Sequence, residues 1–493
     1  MLTQSIIVLV LYFVGMLAIG IYCNKKYAGS LSGFLAGGRS LGPWLFAFVY
    51  GSTYLSSSTL VGTSAAGYKA GISWLFMPIP QVVFIPLGIL LFSHGLRKMS
   101  KRMDVYTVPE FLARRYKSSG AGLITSIVII LFMIPYMISV VKGGALSLGA
   151  LLGVPYFWSV ILVAGVAGVY IITGGYMART YTDLVQAILM FFGVLLVAVA
   201  GLIAVGGPSG VATSLAAQDP ELVSTPGPMG WSQIALFATV FGISPWGLPQ
   251  LVQTNFTFKK RSVVYTSAIV LSFWACVVLF GTTINSVVGR AMYGDALLEN
   301  VDALFPTMVM DLFPNFIGAI IICAVLAAAM STLDGILMTA GSSFACDIYQ
   351  KFLKKNASEK QVLRMNSIAM MIIIVIVVIG AMNPPKMMLT LTSYAFSVIA
   401  GCLMIPIFGG IYTKKGTTAG CLAGIIAGGV STLLWYIIKI DGGYILGIPP
   451  FITGIVVSCI AYFAVSAATK KLPEDFVNDL FSKEASLAAY DEE

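Results

Sequence analysis

Residues 327–334 read AAAMSTLD within an apolar stretch covering about 312–340. The hydroxyls of Ser331 and Thr332, beside small alanines, place hard oxygen ligands where hydrocarbon is expected. Oxygen ligands without sulfur or imidazole suit a hard cation. A second polar break, GSTYLSSST at 51–59, lies in another apolar stretch. A third, FGISPWGLP at 241–249, puts two prolines and two glycines where helix would otherwise continue. Such breaks, far apart in one apolar chain, predict a buried site for an ion and a solute. Asp183 begins a further apolar run, and an acid at that depth is costly unless it faces a cavity, a cation or a partner. Arg179, one helical turn earlier, is the alternative partner. The Ser-Thr pair also has a plainer use, bonding back to its own preceding turn.

The elements that must position these groups are membrane helices. The chain has 493 residues, 58% hydrophobic and 10% charged, with mean hydropathy +0.92. No soluble domain hides that much apolar surface, and runs of about 20 apolar residues are the length of a bilayer crossing. The 51 glycines and 21 prolines fit close packing and broken helices in lipid. We read an all-α integral membrane protein with thirteen spans, near 4–23, 44–68, 72–96, 119–150, 154–174, 180–205, 231–256, 262–288, 312–340, 364–383, 387–412, 417–438 and 447–468. The first run has no basic side chain before it and exceeds a usual signal core, so it reads as a permanent span.

Charge tests the count. With the N-terminus outside and the C-terminus cytoplasmic, only Lys69, Lys142, Arg290, Lys386 and Lys439 of the 29 basic residues fall in outside segments. An even number of spans would scramble that division. The inside loops therefore explain the net charge of +9, and no nucleic-acid partner is needed. The seven cysteines contain no CxxC pair, which supports neither a disulfide framework nor a metal site. The inside segment containing VPEFLARRY (108–116) reads either as an amphipathic helix on the membrane surface or as a solvated loop. The only histidine, His94, sits at a membrane edge beside RKMSKR.

The breaks at 51–59 and 241–249 fall in the second and seventh spans, five apart. Transporters built from two inverted five-span repeats unwind the first helix of each repeat at the midplane. The repeats here would be 44–205 and 231–412.

Three motifs in order, GGRSLGP (37–43), GGYMARTYTDLVQ (174–186) and AAAMSTLD (327–334), resemble the sodium:solute symporter family, which includes proline, pantothenate and sugar symporters. The resemblance implies one transporter domain over 1–493. It would have a LeuT-like ten-helix core, one extra helix before it (4–23), two after it (417–468) and a cytoplasmic tail (469–493). It implies co-transported sodium held by the carbonyls of Ser52, Leu55 and Ala328 and the hydroxyls of Ser331 and Thr332. Asp183 would lend electrostatic support to sodium near the inner face; the role of Asp334 stays open. The runs at 53–74 and NPPKMM (383–388) look most like the pantothenate symporters, whereas GGRSLGP and YTDLVQ look equally like the proline symporters. Tyr54 stands where the proline symporters carry an acid. The expected solute pocket takes Tyr54, Ser56, Ser57, Ser58 and Thr59 from the first broken helix. Phe241, Pro245, Trp246, Pro249 and Gln250 come from the second; for each aromatic, helix packing is the plainer use.

The expected function is sodium-coupled symport of a small organic solute across the cell membrane, a carboxylate such as pantothenate or an amino acid such as proline. Alternatives are a sugar or monocarboxylate as solute, or coupling to protons; the hydroxyl pair speaks against protons, because hydroxyls do not titrate near neutral pH. An intramembrane enzyme would need a nucleophile, acid or metal cluster at depth, which one histidine and scattered acids do not supply. A channel or sensor on the same scaffold is the third class.

Overall fold

The computed structural model describes residues 2–27, 30–383, 388–440, 443–444 and 447–482. Pro384–Met387 of NPPKMM and the tail from 483 lie outside the described residues. Among the described residues ten helices are long and apolar enough to cross a bilayer. In hydrocarbon every backbone N–H and C=O must be satisfied within its own segment, which a helix does. Side chains such as Leu11, Leu131, Ile269, Ile379 and Ile460 are more than half exposed on the outer faces of these helices. In water that belt would drive aggregation; in a multi-pass membrane protein it is the lipid contact.

Three elements depart from one uninterrupted helix per crossing. The helix Tyr156–Ala204 has 49 residues, about 74 Å at 1.5 Å per residue and more than twice the hydrocarbon thickness. It is interrupted at Gly175, whose φ of 63° and ψ of −157° leave the helical region. A Cβ there would fall 2.7 Å from the Phe34 ring, so the turn needs glycine twice over. The first broken helix consists of Pro43–Tyr54 and Ser57–Ala70. Pro43 starts one half in the first turn, and Ser56 caps the other by accepting from Thr59 N. The second broken helix is Gly230–Ile243, a 3₁₀ turn at Ser244–Gly247, and Pro249–Thr254.

Asn315–Ser342 and Met388–Tyr412 are the most buried long helices. Asn315–Ser342 packs on Tyr156–Ala204, Ser119–Leu152 and the N-terminal helix Leu2–Tyr27, and it runs on as a π-helix through Ser343–Leu353. The N-terminal run is thus an integrated helix of the bundle. Thr418–Ile437 and Pro450–Ala468 pair with each other at the periphery. The segment expected on the membrane surface or in solvent is instead a buried helix, Val108–Arg115. It packs under Ser119–Leu152 and the π-helix, and Glu110 bonds Arg114 at 2.9 Å and Lys351 at 3.4 Å. Its apolar face meets protein rather than lipid, with Phe111 and Leu112 fully buried.

Candidate ion and solute site

The first break creates acceptors with nothing helical to bind. Leu55 N donates to Gly51 O at 2.8 Å, the last helical bond, and Leu55 then turns to φ −85° and ψ 89°. The carbonyls of Ser52 and Thr53 lose their partners four residues on, as at any helix end. The buried Asn315–Ser342 helix answers them. Ser331 Oγ donates to Ser52 O at 2.9 Å and lies 3.4 Å from Ala328 O. Thr332 Oγ1 lies 3.1 Å from Thr53 O and 3.4 Å from Ser52 O. Four of the five expected sodium ligands, Ser52, Ala328, Ser331 and Thr332, therefore meet at one fully buried point. Leu55, the fifth, occupies the break itself, and no bond joins it to Ser331 or Thr332 among the described residues. The back-bond of Ser331 to its own turn is present, but it is the longer of its two contacts.

Asp183 sits one layer away. Its Oδ2 is 3.4 Å from Arg179 Nε, and both side chains are buried. Arg179 Nη2 donates to Thr53 Oγ1 at 2.6 Å, so the pair is tied to the residue whose carbonyl Thr332 holds. Close approach requires Gly335: a Cβ there would fall 2.6 Å from Thr53 Cγ2 and 3.1 Å from Arg179 Nη2. Asp334 accepts from the Tyr170 hydroxyl, and its other oxygen has no hydrogen-bond partner. Asp183 thus has the partner named as the alternative, Arg179, and that arginine ties the pair to Thr53.

The expected solute residues divide. Tyr54 Oη lies 2.6 Å from Gln81 Oε1 and 2.7 Å from Phe241 O, joining the two broken helices. Ser56 Oγ is 2.6 Å from Ser58 Oγ and 3.4 Å from Thr59 Oγ1, and Thr392 Oγ1 donates to Ser58 at 3.0 Å. Gln250 is buried with both amide atoms unpartnered, beside the buried Pro245 and Pro249. An unpaired buried amide costs about 1–3 kcal/mol, which a ligand can recover. Two residues point elsewhere. Ser57 Oγ is used by Val140 O at 2.6 Å. Trp246 turns to the Pro78–Met103 helix, with Nε1 donating to Phe84 O at 2.8 Å and its ring against Phe92 at 5.4 Å. Gly88 opens the slot that takes it: a Cβ there would sit 2.6 Å from the indole.

Sequence reasoning missed four neighbours. Phe396 packs on Phe241 at 5.5 Å and on Tyr136 at 4.8 Å. The Tyr136 hydroxyl faces Ser56 and Thr332 without a regular hydrogen bond. Gln253 and Ser244 are buried and unpartnered like Gln250. The two lone glutamines of PQLVQT were the available signal; the aromatics, inside apolar runs, gave none.

A family model for the sodium:solute symporter family matches residues 34–428. The chain belongs to the sodium:solute symporter family. That family consists of transporters rather than enzymes, and sodium is its coupling ion. Among relatives, the sodium/pantothenate symporter of Haemophilus influenzae is 27% identical over 428 residues, covering 86% of this chain and 88% of its own. The osmoregulated proline transporter of Bacillus subtilis is also 27% identical, over 476 residues and 95% of each chain. Among solved structures, a substrate-bound, outward-open Na⁺-coupled sialic acid symporter superposes with TM-score 0.80 at 20% identity, over 96% of this chain and 99% of that one. Mhp1, a nucleobase-cation-symport-1 family transporter, gives 0.55 at 12% identity, over 92% and 97%. At those identities the structural likeness speaks for the fold of this symporter-family chain.

Proposed function

We propose that this chain is a sodium-coupled symporter that moves a small organic solute into the cell by alternating access. The observation that carries the reading is the convergence of the Ser331 and Thr332 hydroxyls on the carbonyls of Ser52 and Thr53. Sodium would be cargo there, held by Ser52 O, Leu55 O, Ala328 O, Ser331 Oγ and Thr332 Oγ1. Asp183 would offset the adjacent Arg179 charge along the ion's route. Thirteen crossings follow if Tyr156–Ala204 is divided at Gly175 and each broken helix is counted once. They would form one helix, two inverted repeats of five and a final pair, with the N-terminus outside and the C-terminus in the cytoplasm of a plasma-membrane protein.

The solute we propose is a small carboxylate, with pantothenate first and proline or another amino acid second. The two relatives above are equally similar, so the choice rests on residues. Tyr54 replaces the acid of the proline symporters, and the pocket side chains Tyr54, Ser56, Ser58, Thr59, Phe241, Gln250 and Gln253 carry no negative charge. Bound sodium and the helix N-terminus at Ser57 favour an anion. Gln250 and Gln253 would bond its polar end, and Phe241, Phe396 and Tyr136 would cover its apolar part. The test is uptake of labelled pantothenate and labelled proline into cells expressing the chain, with and without a sodium gradient. Sodium-driven accumulation of pantothenate is expected. Accumulation of proline alone overturns the solute order, and transport of either without sodium dependence overturns the coupling.

A further inference from the structure

Two segments far apart in sequence, TKKG (413–416) and ATKK (468–471), bring Lys414, Lys415 and Lys471 to one cavity beside the peripheral helix pair. Lys414, Lys415 and Lys471 line a cavity of about 700 Å³ with Ser466, Phe463 and Glu474. Three ammonium groups therefore face one carboxylate. Internal bonding leaves the charge excess standing. Lys414 Nζ donates to the neutral Asn478 Oδ1 at 3.1 Å, and Lys471 Nζ to the Ser466 carbonyl. The Lys415 side chain makes no hydrogen bond or ion pair among the described residues. A second cavity of about 430 Å³ next to it adds no comparable excess, because Arg102 there is paired with Asp479 and Arg114 with Glu110, and Lys117 lies over the Phe476 ring.

The cavity also has an apolar approach. Val456, Ile460 and Phe463 are 49%, 64% and 47% exposed, and with exposed Ala467 they lie at i, i+4, i+7 and i+11 of Pro450–Ala468. That spacing is a single helix stripe. It runs along the lipid face and ends in the cavity, because Phe463 and Ala467 line both. A basic recess at the membrane–water boundary, fed by an apolar track from the hydrocarbon, fits a molecule with an anionic head and acyl tails.

We propose that this recess binds the phosphate headgroup of an anionic phospholipid, with one acyl chain lying along Val456, Ile460 and Phe463. The phosphate chemistry could also come from a soluble phosphate, but only a lipid uses the track. The site is separate from the ion and solute residues and independent of which solute is carried.

The experiment uses the purified full chain in neutral detergent and counts retained lipid by native mass spectrometry. Phosphatidylglycerol, phosphatidylcholine and inorganic phosphate are the probes. Each basic group near an anionic headgroup contributes about fivefold in partitioning. The wild type should retain phosphatidylglycerol at least tenfold over phosphatidylcholine. Lys414→Gln/Lys415→Gln/Lys471→Gln should remove that preference, and Lys415→Gln alone, the least disruptive change, should weaken it about fivefold. Phe463→Ser should lower phosphatidylglycerol retention by at least twofold. Lys259→Gln/Lys260→Gln, outside the recess, should change nothing. An unchanged preference in the triple variant overturns the site, and so does an equal loss in the Lys259/Lys260 control, which would make the binding diffuse surface charge. Displacement of the lipid by equimolar inorganic phosphate overturns the lipid as occupant.

Discussion

Removing one hydroxyl from the proposed ion site is the sharpest perturbation available. Thr332→Ala deletes the oxygen that lies 3.1 Å from Thr53 O and 3.4 Å from Ser52 O. In the ion-bound state it would delete one of five ligands. Interactions of polar groups with a charge contribute about 1.5–3 kcal/mol, so the half-saturating sodium concentration should rise about 10- to 150-fold. The fold should bear the change. Leaving Thr53 O unpartnered costs about 1–3 kcal/mol, and Ser331 still holds Ser52 O at 2.9 Å. Ser331→Ala should act in the same direction, whereas Thr332→Ser, which keeps the oxygen, should stay within a few-fold of wild type. The assay is the sodium dependence of thermal stability of the purified protein, which needs no knowledge of the solute, followed by the sodium dependence of uptake at matched membrane abundance. Stabilisation by sodium scales with the logarithm of its concentration over the dissociation constant, so a weakened site moves the midpoint of that curve. Unchanged sodium midpoints in both alanine variants would refute the ion site, whatever happens to transport.

Gly335→Ala places a methyl 2.6 Å from Thr53 Cγ2 and 3.1 Å from the Arg179 guanidinium. Overpacking of this kind costs about 1–3 kcal/mol. We expect a lower Tm together with weakened sodium binding, because the displaced groups carry the Thr53 carbonyl; wild-type sodium affinity would show that the two layers are uncoupled. For orientation, a cysteine placed in 206–230 should react with a membrane-impermeant thiol reagent from outside, and one at Lys354 only after permeabilisation. The reverse pattern would invert the topology.

Legibility in the sequence followed how local each cause was. The breaks at 55–56 and 244–248 announced themselves through Ser, Gly and Pro clusters, whose backbone preferences act within a few residues. The hydroxyl pair at 331–332 stood out because polar atoms in hydrocarbon need a reason. The Gly174–Gly175 pair was visible, but the interruption at Gly175 depends on Phe34, some 140 positions earlier, filling the space a Cβ would take. Tyr136 and Phe396 join the candidate site, and Arg179 reaches Thr53, through contacts across more than a hundred positions, which no periodicity records; only the Arg179–Asp183 spacing was local. Trp246 read as a pocket residue because its neighbours are; its side chain follows the slot left by Gly88 on another helix. The Val108–Arg115 helix was legible as amphipathic, but whether an apolar face meets lipid or protein is decided by what the rest of the bundle brings beneath it.

The hydroxyl bonds across the first break also bear on how tightly an ion can be held. The Ser331 hydrogen occupies the Ser52 carbonyl, which would face the ion, whereas Thr332 lies nearest the Thr53 carbonyl beside it. Sodium bound at the proposed site would displace the Ser331–Ser52 hydrogen bond, worth about 0.5–1.5 kcal/mol. That would lower its net affinity by roughly 2- to 13-fold relative to a cage of bare oxygens. A permanent structural ion would be better served by the bare cage. A carrier has to let its ion go on every turnover, and a hydroxyl able to bond the Ser52 carbonyl in the ion's place would ease that release.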